Sequence, residues 1–230
     1  MQIEIDSAPS YGMAVVTLDK GETLVVESGA MAAMSHNMNV DSQVSGAGGG
    51  GIEWIQAVIF AIARKFLAGE SVFVNHFKAK EDGQQVMVSP AWVGDVIPVE
   101  MVKGKKLIVQ AGSYLASSKK VKVGLIWGGF SMLLGGEGAF FLKCTGTGDL
   151  LINSYGAIEK VEIDGKYNVD NGHVVAWEGD LKYKLKRVGG WKSTMLSGEG
   201  AVIQFSGKGT VWMQTRDVGA LVRWITPFFP

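Results

Sequence analysis

Three glutamates at matching places in the chain are its first candidates for chemistry. Glu70, Glu137 and Glu199 each follow a glycine and open one of three similar phrases: GESVFVNHF at 69–77, GEGAFFLKC at 136–144 and GEGAVIQFS at 198–206. Carboxylates gathered by a threefold arrangement would repel, raise one another's pKa or hold a hard cation. The plainer reading is favoured here: each accepts backbone N–H bonds across its own turn, as acids at turns commonly do. The histidines His36, His76 and His173 stand at non-equivalent places and form no HxH, HxxxH or HExxH pattern, so no metal site is expected. His173, directly after Gly172, reads as a structural hydrogen-bonder before it reads as a general base. Cys144 lies in an apolar run with no histidine beside it and reads as a small buried hydrophobe. No catalytic, cofactor-binding or metal-binding residue is assigned, no cofactor is expected, and the chain is not expected to be an enzyme.

Two further patterns suggest ligands. GAGGGG at 46–51 contains Gly46, Gly48 and Gly51 in GxGxxG spacing. A glycine run meets that spacing trivially, and a dinucleotide site also needs flanking parallel strands and a dedicated acid about 20 residues on. A hinge is the simpler reading, and without a following GK[ST] there is no P-loop. Lys182, Lys184 and Lys186 alternate with Leu181, Tyr183 and Leu185, which puts three lysines on one face of a strand, and Lys120 and Lys122 precede the corresponding region upstream. A stripe of this kind can track phosphates. More often it is a solvated face, and the balance of 22 basic and 22 acidic residues argues against nucleic acid as the main partner.

The elements that position these residues are themselves repeated. A second phrase precedes each Gly-Glu phrase: ESGAMAAMS at 27–35, QAGSYLASS at 110–118 and DNGHVVAWE at 170–178. Gly29, Gly112 and Gly172 fall at one repeat position and suggest positive φ or a lack of room for a Cβ. The residues that follow them alternate as a half-buried strand does, Met31, Ala33 and Ser35 on one side and Ala32 and Met34 on the other. Strand–turn–strand grammar recurs at 18–23, 77–89, 142–154 and 204–216, which predicts hairpins. Pro90 and Pro98 mark 90–101 as a linker, and DVGALVRWITPFFP at 217–230 predicts a short helix at its start.

The first repeat is longer than the others. Gly29 to Gly69 spans 40 residues, against 24 from Gly112 to Gly136 and 26 from Gly172 to Gly198. Ile52, Ile55, Ile59, Ile62 and Phe66 recur at helical spacing, so the surplus reads as an inserted helix over about 52–66. That stretch is short of the roughly 20 apolar residues that span a bilayer. Trp54, Ile55, Ile59, Phe60 and Ile62 make it the candidate interaction surface. The fold expected is all-β: one domain of three sandwich or jelly-roll-like repeats around a pseudo-threefold axis. Cuts fall at 1–103, 104–163 and 164–230. A single cysteine excludes an intrachain disulfide, and with no basic-then-apolar leader at the N-terminus a cytoplasmic setting is expected.

VDNGHVVAW at 169–177, the threefold GE[SG] phrase, INSYGAIEKVEI at 152–163 and VWMQTR at 211–216 resemble a family of bacterial and archaeal proteins. That family is related to the mitochondrial-biogenesis proteins named for altered inheritance of mitochondria. The resemblance implies all-β double-sheet units like those of the tryptophan RNA-binding attenuator protein. It implies no enzyme activity, links mitochondrial members to inner-membrane organisation, and transfers no site residue. The function expected is a non-enzymatic scaffold that forms a homo-oligomer or binds a protein or membrane surface. The alternatives are RNA or nucleotide binding through the lysine face, and a small-molecule sensor with a pocket between repeats.

Overall fold

A computed structural model describes residues 1–44, 73–126, 141–187 and 201–229. Sixteen strands are described, arranged in sheets of four, six and six. The first unit runs through β2 (Met13–Leu18), β3 (Thr23–Glu27), β4 (Met31–Met34), β5 (Asn39–Val44), β6 (Phe73–Lys78) and β7 (Gln84–Val88). The second runs through β8 (Val96–Met101), β9 (Lys106–Gln110), β10 (Tyr114–Ser118), β11 (Val121–Ile126), β12 (Phe141–Gly146) and β13 (Gly148–Asn153). The third makes the same six passes with three long strands: β14 (Ile158–Asp170), β15 (Val174–Arg187) and β16 (Ala201–Gln214). An extra strand, β1 (Gln2–Asp6), pairs with β2 and has no counterpart in the later units.

Hydrogen bonding repeats strand for strand. The last strand of the first unit, β7, lies between β2 and β4, while β6 lies between β3 and β5. In the second unit β13 lies between β8 and β10, and β12 between β9 and β11. In the third, the second half of β16 lies between the starts of β14 and β15, and its first half between their later halves. Each unit is thus two three-stranded half-sheets. Even the irregularity is copied: the register shifts between Met31 and Ala33, between Tyr114 and Ala116, and between Val174 and Ala176. This bulge breaks the strict alternation predicted after Gly29. Counted by hydrogen bonds, β8 and the start of β14 belong to the unit that follows them, so the cuts after 103 and 163 fall one strand late.

The predicted hairpins are not hairpins. β2 and β3 belong to different sheets, as do β6 and β7, and β12 and β13. Each turn carries the chain from one half-sheet to the facing one, which is a sandwich corner. Gly146 and Gly207 occupy the same corner, with φ of +109° and +126°. A Cβ on Gly146 would stand 2.2 Å from Lys120 O, and one on Gly207 2.1 Å from Asp180 O. The first unit places Ala79 there and takes a longer loop to Gly83. The segment 90–101 is only partly a linker, since 96–101 forms β8. Its Pro98 is tolerated because β8 is an edge strand, paired to β13 alone.

Half-sheets of neighbouring units fuse. β3 pairs with β10, Ala116 opposite Val26, and β9 pairs with β15, Ala176 opposite Val109. Three cores result. The first joins Val16, Leu24, Phe77 and Val86 with Leu115 and Leu151 of the second unit. The second joins Met101, Leu107, Cys144 and Leu150 with Val175, Ala176 and Trp212 of the third. The third holds Trp177 edge-on to Phe141, Tyr183 and Phe205, ring centroids 4.8, 4.9 and 5.4 Å away.

Candidate functional site

The acids Glu70, Glu137 and Glu199 lie outside the described residues, as do GAGGGG and the apolar group Trp54, Ile55, Ile59, Phe60 and Ile62. The strands after the Gly-Glu phrases are described, and they shift one alignment. Phe205, not Ser206, takes the place of Phe77 and Cys144, since Ile203, Asn75 and Leu142 face Val169, Val26 and Val109 respectively. Cys144 is fully buried, and burial pushes its thiol up to about 12, so it holds its proton and stays inert.

In the second and third copies the glycine phrase is held by hydrogen bonds to the glycine carbonyl. Gln214 Nε2 donates to Gly172 O at 2.8 Å, and Asn153 Nδ2, at the equivalent strand end, donates to Gly112 O at 3.3 Å. Gln214 Oε1 also accepts from Tyr155 N at 2.9 Å, and its carbonyl lies 2.7 Å from His173 Nδ1. His173 is therefore tied into the scaffold as expected. Gly29 has φ +89°, while a Cβ on Gly172 would meet Asp217 Oδ1 at 2.4 Å. Sequence reading missed Asn153 and Gln214, although their common position at the end of a unit's last strand was a signal.

Lys182, Lys184 and Lys186 are exposed along the end of β15, and Leu181, Tyr183 and Leu185 turn toward the third core. Across the half-sheet Lys182 is level with Ser206 and Lys166, and Lys184 with Gln204 and Asn168. Gln204 Nε2 donates to Asn168 Oδ1 at 3.0 Å. The stripe belongs to the third unit alone, because the places of Lys182 and Lys184 are held by Lys122 and Gly124 in the second and by Asn39 and Asp41 in the first. Lys120 stands in a turn rather than on the strand. A groove of about 660 Å³ opens where the first two units meet, and Lys20, Lys78, Lys119, Lys120 and Asp149 are among its walls.

Two surfaces are more unusual. The first is the tail. Asp217 caps the helix α1 (Val218–Ile225), its carboxylate accepting from Gly219 N and Ala220 N. Val218, Leu221 and Ile225 form a half-buried face, yet Val222, Trp224, Phe228 and Phe229 also face solvent, Trp224 at 67% and Phe228 at 72% exposure. The rings of Trp224 and Phe228 lie 5.6 Å apart. The second is a pair of sheet edges. Among the described residues, β4 pairs with β7 alone, and the later half of β14 pairs with β16 alone. No helix among the described residues is long and apolar enough to cross a membrane.

Comparison with known proteins places the chain. A family model described as mitochondrial biogenesis AIM24 matches residues 3–216. An uncharacterized protein of Streptococcus pyogenes serotype M6 is 28% identical over 232 residues, covering 98% of this chain and 91% of that one. The crystal structure of a Streptococcus pyogenes protein matches with a TM-score of 0.78 at 24% identity over 99% of each chain, a likeness of fold.

Proposed function

We propose that this chain, which belongs to the mitochondrial biogenesis AIM24 family, is a non-catalytic β scaffold that docks on a membrane surface through its apolar tail. The observation that carries this reading is α1, whose outer side and following turn present Val222, Trp224, Phe228 and Phe229 to water. Trp and Phe on a short amphipathic helix are the side chains that settle at a lipid headgroup boundary. A scaffold role is supported by the fate of the candidate reactive groups, since Cys144 is buried and protonated and His173 is spent on Gln214.

The test is co-sedimentation with vesicles of mixed zwitterionic and anionic phospholipid. The wild type is expected in the pellet, and the triple variant Trp224→Ala, Phe228→Ala, Phe229→Ala largely in the supernatant. A wild type that stays in the supernatant, or a triple variant that sediments equally well, overturns the reading. The apolar run 52–66, named from sequence, enters the same assay as a deletion.

A second reading rests on Lys182, Lys184 and Lys186, which share one exposed face with Lys166. On this reading the face tracks phosphates, and binding of single-stranded RNA weakens steeply with salt and is lost when the three lysines of β15 become glutamates. Binding that ignores salt and the substitutions removes it.

A further inference from the structure

We propose that copies of this chain join head to tail, the open edge of β4 in one copy pairing antiparallel with residues 166–170 of β14 in the next. The chain itself makes this joint twice. The strand after the glycine phrase in the second unit, β10, pairs with β3 of the first, and its counterpart at the start of β15 pairs with β9 of the second. By the same correspondence β4 is the third such strand, and 166–170 the third partner. Within the chain those two are not paired among the described residues. Among the described residues one half-sheet therefore stands open at each end of the array, and each lacks the half that the other offers.

Exposure marks the same two places. Ser117 and Trp177 are 1% and 2% exposed inside the internal joints, whereas Met34 at the equivalent position is 43% exposed. On the opposite side Leu24 and Leu107 are buried, and their counterpart Tyr167 is 44% exposed. The internal registers transfer without adjustment. Ala116 faces Val26 and Ala176 faces Val109, so Ala33 would face Val169, Met34 would face Asn168, and Ser35 would face Tyr167. Backbone polarity fits too. Ser35 N donates to Gln85 O at 2.8 Å toward β7, which leaves the amide of Met34 pointing to the open side. Proteins guard lone edges with charge or proline. Asp6 on β1, Asp41 on β5 and Pro98 on β8 do so here, but Met-Ala-Ala-Met of β4 carries neither.

A heterologous contact of this kind gives rings where the rotation closes and filaments where it does not. The partner is a second copy, and the joint does not use the tail, so it stands or falls apart from the membrane reading.

Light scattering across protein concentration tests the proposal. The wild type is expected to grow in multiples of 24.6 kDa. Met34→Pro removes the outward amide of β4, and Asn168→Pro does the same for β14, each at an edge where proline is tolerated. Each variant alone is expected to be a single chain with an unchanged circular-dichroism melt. An equimolar mixture of the two is expected to form a one-to-one pair, because one intact edge of each kind remains. Should the prolines disturb folding, the double variant Met34→Cys, Asn168→Cys replaces them, and oxidation is expected to give a ladder of linked chains on a denaturing gel. A wild type that stays at one chain mass, folded proline variants that assemble as the wild type does, a mixture that does not pair, or a cross-link that is absent or confined within single chains would each overturn the proposal. Vesicle sedimentation of the proline variants is expected to be retained, which separates loss of this joint from loss of the tail contact.

Discussion

Asp95 shows how one residue at a loop end can set a pH response. Burial raises its carboxyl above the ordinary carboxylate value, and hydrogen bonds from backbone amides, Val96 N among them at 2.9 Å, offset part of the shift. A carboxyl whose folded pKa is raised favours the fold while protonated, and that contribution is lost as pH rises through the folded value. Asp95→Asn keeps an oxygen for Val96 N and removes the charge. It is expected to melt at a higher temperature than the wild type at neutral pH, the gap closing as pH falls toward the carboxyl range; melts recorded against pH check this. None of it was legible in the sequence, where DVIP reads as linker. The same holds for Asn153 and Gln214, whose amides clamp glycine carbonyls from strands some forty residues away in sequence. Cys144 and His173 were legible, because an apolar run and a neighbouring glycine already describe their surroundings.

At the scale of elements, sequence periodicity located most strands and misjudged which of them pair. A Gly-X-Gly between two β-prone runs is compatible with a hairpin and with a corner that sends the chain to the facing sheet. The choice is made by distant strands, here β9 and β10 for the turn at 146–148. One tight joint is the parallel bridge between Gly94 and Gly156. A Cβ on Gly94 would stand 2.0 Å from Ser154 O and 2.7 Å from Gly156 O, both backbone atoms with no rotamer to yield. Gly94→Ala is therefore expected to cost about 2 kcal/mol or more, read as a drop in the denaturant midpoint at unchanged slope. Gly124→Ala, on a strand with open space at that position, is the control and is expected to change little.

For the whole molecule, three repeats were legible because two phrases recur in one order. What the phrases could not show is that their neighbourhoods differ: MAAM and YLAS look alike in sequence, but one lies at the end of the array and the other inside it. Sheets shared between units should also make unfolding cooperative. Alkylation of Cys144, which reports on the second core, and far-UV circular dichroism are expected to give one coincident transition in urea; separate midpoints would mean that the units melt independently.

The fused half-sheets carry a consequence for how such a chain can change over time. A module that gives on one flank and receives on the other imposes no natural count. Splicing in a fourth copy between the present second and third would leave both outermost flanks untouched, so molecular size can drift by whole modules while the terminal contacts are inherited intact.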